Sequence, residues 1–138
     1  FEEMPFRFLD HPADIRVECF GKTWDELFRS AAEALYAVAL STTKKGTTAN
    51  RSVQIDSETE EETIVRWVQE LNYLLESEGF VATEFIFARA EALSVRAHLR
   101  GYICSPEERD REIKAATYHN LRVSRSELGL HAEIILDL

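Results

Sequence analysis

Two cysteines, three prolines and five glycines among 138 residues remove several kinds of protein from consideration. Cys19 and Cys104 both sit in apolar, strand-like contexts, so reduced and buried thiols are expected. There is no Cys-x-x-Cys, and His11, His98, His119 and His131 show no zinc-type ligand spacing. The glycines at 21, 46, 79, 101 and 129 are isolated turn residues and build no phosphate-binding loop. No apolar run approaches the roughly 20 residues that span a bilayer. The start has no basic segment leading into an apolar one, so nothing marks secretion and a cytoplasmic protein is expected. No nucleophile elbow or Ser/His/Asp arrangement can be read. Positive charge is also scarce: 16 basic against 25 acidic residues give a formal charge of -9. That argues against wrapping a phosphate backbone, so sequence-specific nucleic-acid binding is not expected; cations or basic protein surfaces suit the chain better.

What is present is ordinary globular material, 45% hydrophobic and 30% charged, in one domain over 1–138. Phe6–Leu9 reads as a first strand and Ile15–Phe20 as a second, with Ile15, Val17 and Cys19 on one face. Thr23-Trp24-Asp25-Glu26 has the form of a capping box, and Trp24, Leu27, Phe28, Ala31, Leu35 and Val38 follow at helical spacing, so 23–40 reads as an amphipathic helix. Residues 41–50, polar with Gly46, read as the most mobile loop. Val53 and Ile55 alternate in a third strand. The acidic run 56–62 suits the positive end of a second helix at about 59–78, stopped by Gly79. From Thr83 the chain reads as strands at 85–88, 92–102, 113–118, 121–124 and 130–137, with a turn region at 105–110. Trp24 and Trp67 fall on apolar helix faces and read as core. The class is α+β: a largely antiparallel β-sheet with two amphipathic helices packed on it.

The candidate chemistry lies at the two ends. Asp10-His11-Pro12-Ala13-Asp14 stands before the second strand, and Ile134-Ile135-Leu136 delivers Asp137 and then Leu138. A strand start and a strand end become neighbours when the strands pair antiparallel. Two carboxylates held close repel, and require a proton, a cationic side chain or a metal ion between them. The plainer reading of each is a turn or cap residue, since Asp is disfavoured inside strands. The Leu138 main-chain oxygen adds a hard ligand beside Asp137; carboxylate and carbonyl oxygens suit calcium or magnesium, whereas imidazole and thiolate suit zinc or iron. His11 reads as a group able to orient a carboxylate, and His119 as a packing or turn residue.

With those residues in view, the chain resembles the archease family. The resemblance is carried by Asp10-His11-Pro12-Ala13-Asp14, by Thr23-Trp24-Asp25-Glu26-Leu27-Phe28 and by Val68-Gln69-Glu70-Leu71-Asn72-Tyr73-Leu74-Leu75. Ile113-Lys114-Ala115-Ala116-Thr117-Tyr118-His119 and Ile135-Leu136-Asp137-Leu138 complete it in the expected order. It implies an accessory protein, not an enzyme, that helps an RtcB-type RNA ligase join ends bearing 2′,3′-cyclic phosphate or 3′-phosphate in tRNA splicing and RNA repair. The help is given by promoting guanylylation of the ligase and multiple turnover. It also implies a divalent metal ion, typically calcium, on Asp14, Asp137 and Leu138. Pro12 departs from the family's Thr, removing a hydroxyl and an N–H while leaving both carboxylates in place. Two other classes compete. One is a metal-dependent hydrolase with His11 or His119 as base; the other is a chaperone-like binding module whose carboxylates only cap strands.

Overall fold

The computed structural model describes residues 5–9, 14–41, 46–117 and 122–138. The expectations attached to Asp10, His11, Pro12 and His119 lie outside them. The elements follow as β1 (Phe6–Leu9), β2 (Asp14–Gly21), α1 (Trp24–Ala39), β3 (Thr47–Asp56), α2 (Glu60–Glu78), β4 (Phe80–Glu91) and β5 (Ser94–Ile103). A 3-10 turn at Pro106–Glu108 precedes β6 (Ala115–Thr117), β7 (Ser124–Ser126) and β8 (Gly129–Asp137). The α+β class holds, with every described strand pair antiparallel.

The strands form two sheets. One has the order β1-β2-β8-β6, with β7 also paired to β8; the other is β3-β5-β4. Each helix contacts both sheets. The inner faces therefore share one core, with Val17, Cys19, Ile134 and Leu136 from the first sheet and Val53, Ile55, Val95, Ala97 and Leu99 from the second. Phe28 and Trp67 meet between the helices, with ring centroids 5.7 Å apart. Trp67 is fully buried, and its indole N–H donates to the Phe28 carbonyl at 2.8 Å, so the polar edge of a large apolar side chain is satisfied in the interior. Trp24, expected in the core, is half-buried: it packs on Phe28 and carries the Arg125 guanidinium 5.8 Å from its ring centre.

Helix α2 begins where the sequence places it. Thr59 Oγ1 accepts the Glu62 amide at 3.1 Å, and Glu62 reaches back to the Glu58 amide at 3.1 Å. It ends at Gly79, whose φ of 73° is a left-handed value that only glycine adopts without strain. Helix α1 departs from its expected cap. The Thr23 hydroxyl donates to the Asp25 carboxylate instead of accepting a helix amide, and Glu26 accepts the Lys22 amide at 2.9 Å. The carboxylate takes an orphan donor one residue earlier than a capping box requires.

The expected loop at 41–50 is shorter than its composition suggests. Residues 47–50 extend β3, because Thr47, Thr48, Ala49 and Asn50 pair in register with Ile103, Tyr102, Gly101 and Arg100 of β5. Ladder bonds with β5 outweigh the weak strand preference of Ala and Asn. Strand β4, expected at 85–88, starts at Phe80, with Phe80, Val81 and Ala82 buried, and runs on to Glu91 beside β5. Both cysteines are free and buried, as expected. Burial, with the Glu18 charge beside it, pushes the Cys19 thiol far up and keeps it protonated.

Candidate metal centre

The apolar residues of β2 and β8 fix which side of the first sheet each carboxylate occupies. Side chains alternate along a strand, and Val17, Cys19, Ala132, Ile134 and Leu136 point inward. Asp14 and Asp137 have the opposite parity and belong to the outer face. The register then pairs them directly: Asp14 with Asp137, Ile15 with Leu136, Arg16 with Ile135, and onward to Gly21 with Leu130. Residues directly opposite in an antiparallel pair have Cβ atoms about 4.5–5.5 Å apart on one face. Two carboxylates from the two ends of the chain thus share one small patch, and both are half-buried.

Neighbouring groups narrow what can lie between them. Arg16, the next outer residue on β2, gives its guanidinium to Glu133 at 3.3 Å. Among the described residues, no Lys, Arg or His forms an ion pair with Asp137. The Asp137 carbonyl accepts the Lys114 amide at 2.8 Å and is engaged in the sheet, so the oxygens left for an ion on this strand are the Asp137 carboxylate and the Leu138 main-chain oxygen. On the other flank, β6 pairs with β8 so that Ala115 opposes Asp137 and Ala116 opposes Leu136. The set is all oxygen, from two half-buried carboxylates and an adjoining main-chain group. That donor chemistry fits a hard divalent cation such as calcium, which binds oxygens at about 2.3–2.6 Å.

The structure therefore brings together the expected Asp14 and Asp137, with Leu138 next in the chain and 37% exposed. It also places Lys114 and Ala115 beside them. Sequence inspection marked the 113–119 segment without locating it; its nearness follows from β6 pairing on the edge of β8. A groove of about 550 Å³ runs from this flank toward α2, lined by Gln69, Asn72, Glu76 and Lys114 among others. The Gln69 and Asn72 amides tie α2 to the segment, donating to the Ala116 and Ile113 carbonyls at 2.9 and 2.8 Å. His98 lies exposed on the outer face of the other sheet, as its alternation predicts. Among the described residues, no helix is long and apolar enough to cross a membrane.

Comparison with known proteins agrees in extent. The model of the Archease protein family (MTH1598/TM1083) matches residues 6–138. A protein archease from Archaeoglobus fulgidus is 36% identical over 137 residues, covering 98% of this chain and 100% of that protein. One from Methanosarcina barkeri is 32% identical over 139 residues, covering 96% and 95%. Among solved structures, Methanobacterium thermoautotrophicum protein 1598 superposes with a TM-score of 0.72 at 22% identity, over 98% of this chain and 99% of that one. A Thermotoga maritima protein, described as an archease and possible chaperone, gives 0.67 at 20% identity over 94% of each chain. At those identities the two structures speak for the fold alone, while the family model and the closer sequences cover nearly every residue. This chain belongs to the archease family.

Proposed function

We propose that the protein is a metal-binding accessory factor that activates an RtcB-type RNA ligase, promoting its guanylylation and multiple turnover in tRNA splicing and RNA repair in the cytoplasm. The observation that carries the reading is the direct pairing of Asp14 with Asp137 on the outer face of the β2–β8 ladder. Asp14, Asp137 and Leu138 would hold the divalent ion, calcium by the chemistry of the donors. When bound, that ion supplies positive charge that cancels the repulsion between the two carboxylates.

The chain's own residues do the rest. The strand ladder holds both aspartates at fixed positions, so the tip needs little reordering when a partner arrives. A formal charge of -9 steers it toward the basic surroundings of a nucleotide-binding ligase site. Lys114, exposed beside Asp137, offers a cation to partner or nucleotide phosphate at the rim of the same patch.

The test is ligation and guanylylation under multiple-turnover conditions with Asp14→Ala and Asp137→Ala, each checked for native folding. Loss of stimulation is expected from both, and full stimulation by both folded variants would sink the proposal. A chaperone-like binding module without metal dependence is the second reading, favoured by the description of the Thermotoga relative. It requires partner binding to survive chelation.

A further inference from the structure

A second polar cluster lies on the same outer face of β2 and β8, four residues along the ladder from the aspartate pair and about 13 Å away at the strand rise. Glu18 of β2 stands directly opposite Glu133 of β8. His131 lies two residues before Glu133 and so projects on the same side. One ligand atom from each of Glu18, His131 and Glu133 falls within 4.8 Å of the others. The side chains are enclosed without being sealed: Glu18 is 10% exposed, His131 30% and Glu133 22%.

The imidazole is held in one orientation from several directions. Its Nε2 lies 3.1 Å from Glu18 Oε1, its Nδ1 lies 3.2 Å from Ser124 Oγ, and its ring packs on Phe20 with centroids 4.9 Å apart. A carboxylate only accepts, so Nε2 carries the proton toward Glu18, and in the neutral ring Nδ1 then accepts from the Ser124 hydroxyl. Arg16 donates to Glu133 Oε2 at 3.3 Å, leaving Oε1 available. The arrangement combines a His-x-Glu pair on one strand with a cross-strand Glu, a serine that fixes the imidazole, and an open outer side.

We propose that Glu18, His131 and Glu133 form a binding site for a zinc-class transition-metal cation, separate from the oxygen site at Asp14 and Asp137. The imidazole selects the metal. Arg16 pairs with Glu133 and offsets one of the two carboxylate charges, which leaves less negative charge here to attract calcium. Affinity there depends on a nitrogen ligand, which favours zinc over a hard oxygen-seeking ion. Four-coordinate zinc with ligand bonds near 2.0 Å needs donor atoms roughly 3.3 Å apart; Glu18 and His131 meet this at 3.1 Å, and Glu133 closes in by at most about 1.5 Å through side-chain rotation. On binding, Nε2 gives up its proton and Nδ1 takes one; the ring stays neutral, and Nδ1–H then donates to Ser124 Oγ, which can serve in either role. Water completes the sphere from the open side.

The experiment uses the full chain carrying Asp137→Asn, which removes the other site, so the outcome is independent of the ligase proposal. After chelator treatment, Co²⁺ is titrated by visible absorption and Zn²⁺ by calorimetry. One equivalent is expected, with the strong visible bands of four-coordinate Co²⁺ and their loss on adding Zn²⁺. His131→Gln and Glu133→Gln in this background are expected to weaken binding by more than about tenfold, and Ser124→Ala by roughly tenfold. Calcium should not compete. Absence of stoichiometric binding would overturn the proposal, as would an affinity unchanged in folded His131→Gln, which would mark adventitious binding only. Should His131→Gln not fold, the exposed-side variant Glu133→Gln decides in the same way.

Discussion

The Asp14–Asp137 pair makes a prediction whose sign depends on the metal. Without an ion, two carboxylates face each other across one rung of an antiparallel ladder. At roughly 5 Å their repulsion is about 0.8 kcal/mol in bulk water and about 3 kcal/mol at an effective dielectric of 20. Both groups are half-buried at the open end of the strands, which places the value near the lower bound, about 1 kcal/mol. Asp137→Asn keeps the shape and removes one charge. In chelator and low salt the variant should therefore be more stable than wild type by about 1 kcal/mol, a rise of roughly 3 °C in Tm for a chain of this length. At physiological ionic strength the gain should fall to about half, since the screening length is then about 8 Å. With calcium at a hundred times its dissociation constant the order reverses, because wild type gains about 2.7 kcal/mol and the variant gains far less. Thermal melts in chelator and in a calcium series read both effects. The reasoning is refuted if Asp137→Asn is the less stable protein in chelator, for then the aspartate is a structural cap, or if calcium moves both proteins equally.

Two further predictions concern the core. Trp67→Phe removes the indole bond to the Phe28 carbonyl, worth about 1 kcal/mol. It also opens roughly 40 Å³ at a fully buried site, worth about 1 kcal/mol more, so urea denaturation should show a loss of about 2 kcal/mol with an unchanged m-value. The Cys19 thiol is raised above its ordinary value of 9.0 by burial and by Glu18, so the folded chain keeps a proton that the unfolded chain loses as pH rises. Its contribution is fully present below about pH 9 and declines above it. Denaturant midpoints should fall from that pH upward, less steeply in Cys19→Ala, and a thiol reagent at pH 8 should leave Cys19 unmodified until the protein unfolds.

Local pattern was readable wherever one period dominated. The spacing of Ile64, Trp67, Val68, Leu71, Leu74 and Leu75, with an acidic start and Gly79 at the end, places α2 within a residue of its observed bounds. The alternation of Val17 and Cys19, and of Ile134 and Leu136, likewise shows which side of β2 and β8 meets the core. Pattern misleads where a distant partner decides. Residues 47–50 carry polar loop composition and become strand because β5 lies alongside. Trp24 has helical apolar spacing but meets Arg125 and solvent at the rim of the core. Nothing in the alternation reveals that the strands divide into two sheets with the helix pair in contact with both.

The sequence by itself determined the class, the two helices and the resemblance that the family comparison bears out, because these depend on residue type and short-range period. It also made the meeting of Asp14 and Asp137 a geometric expectation, one carboxylate opening a strand and the other closing one. The tertiary structure decided the rung. A shift of one residue in the β2–β8 register would put one carboxylate opposite an inward-facing neighbour, and only the packing of Val17, Cys19, Ile134 and Leu136 against the helices excludes it. The same register sets Glu18 against Glu133 beside His131, a cluster invisible to spacing along the chain because its members come from strands more than a hundred residues apart.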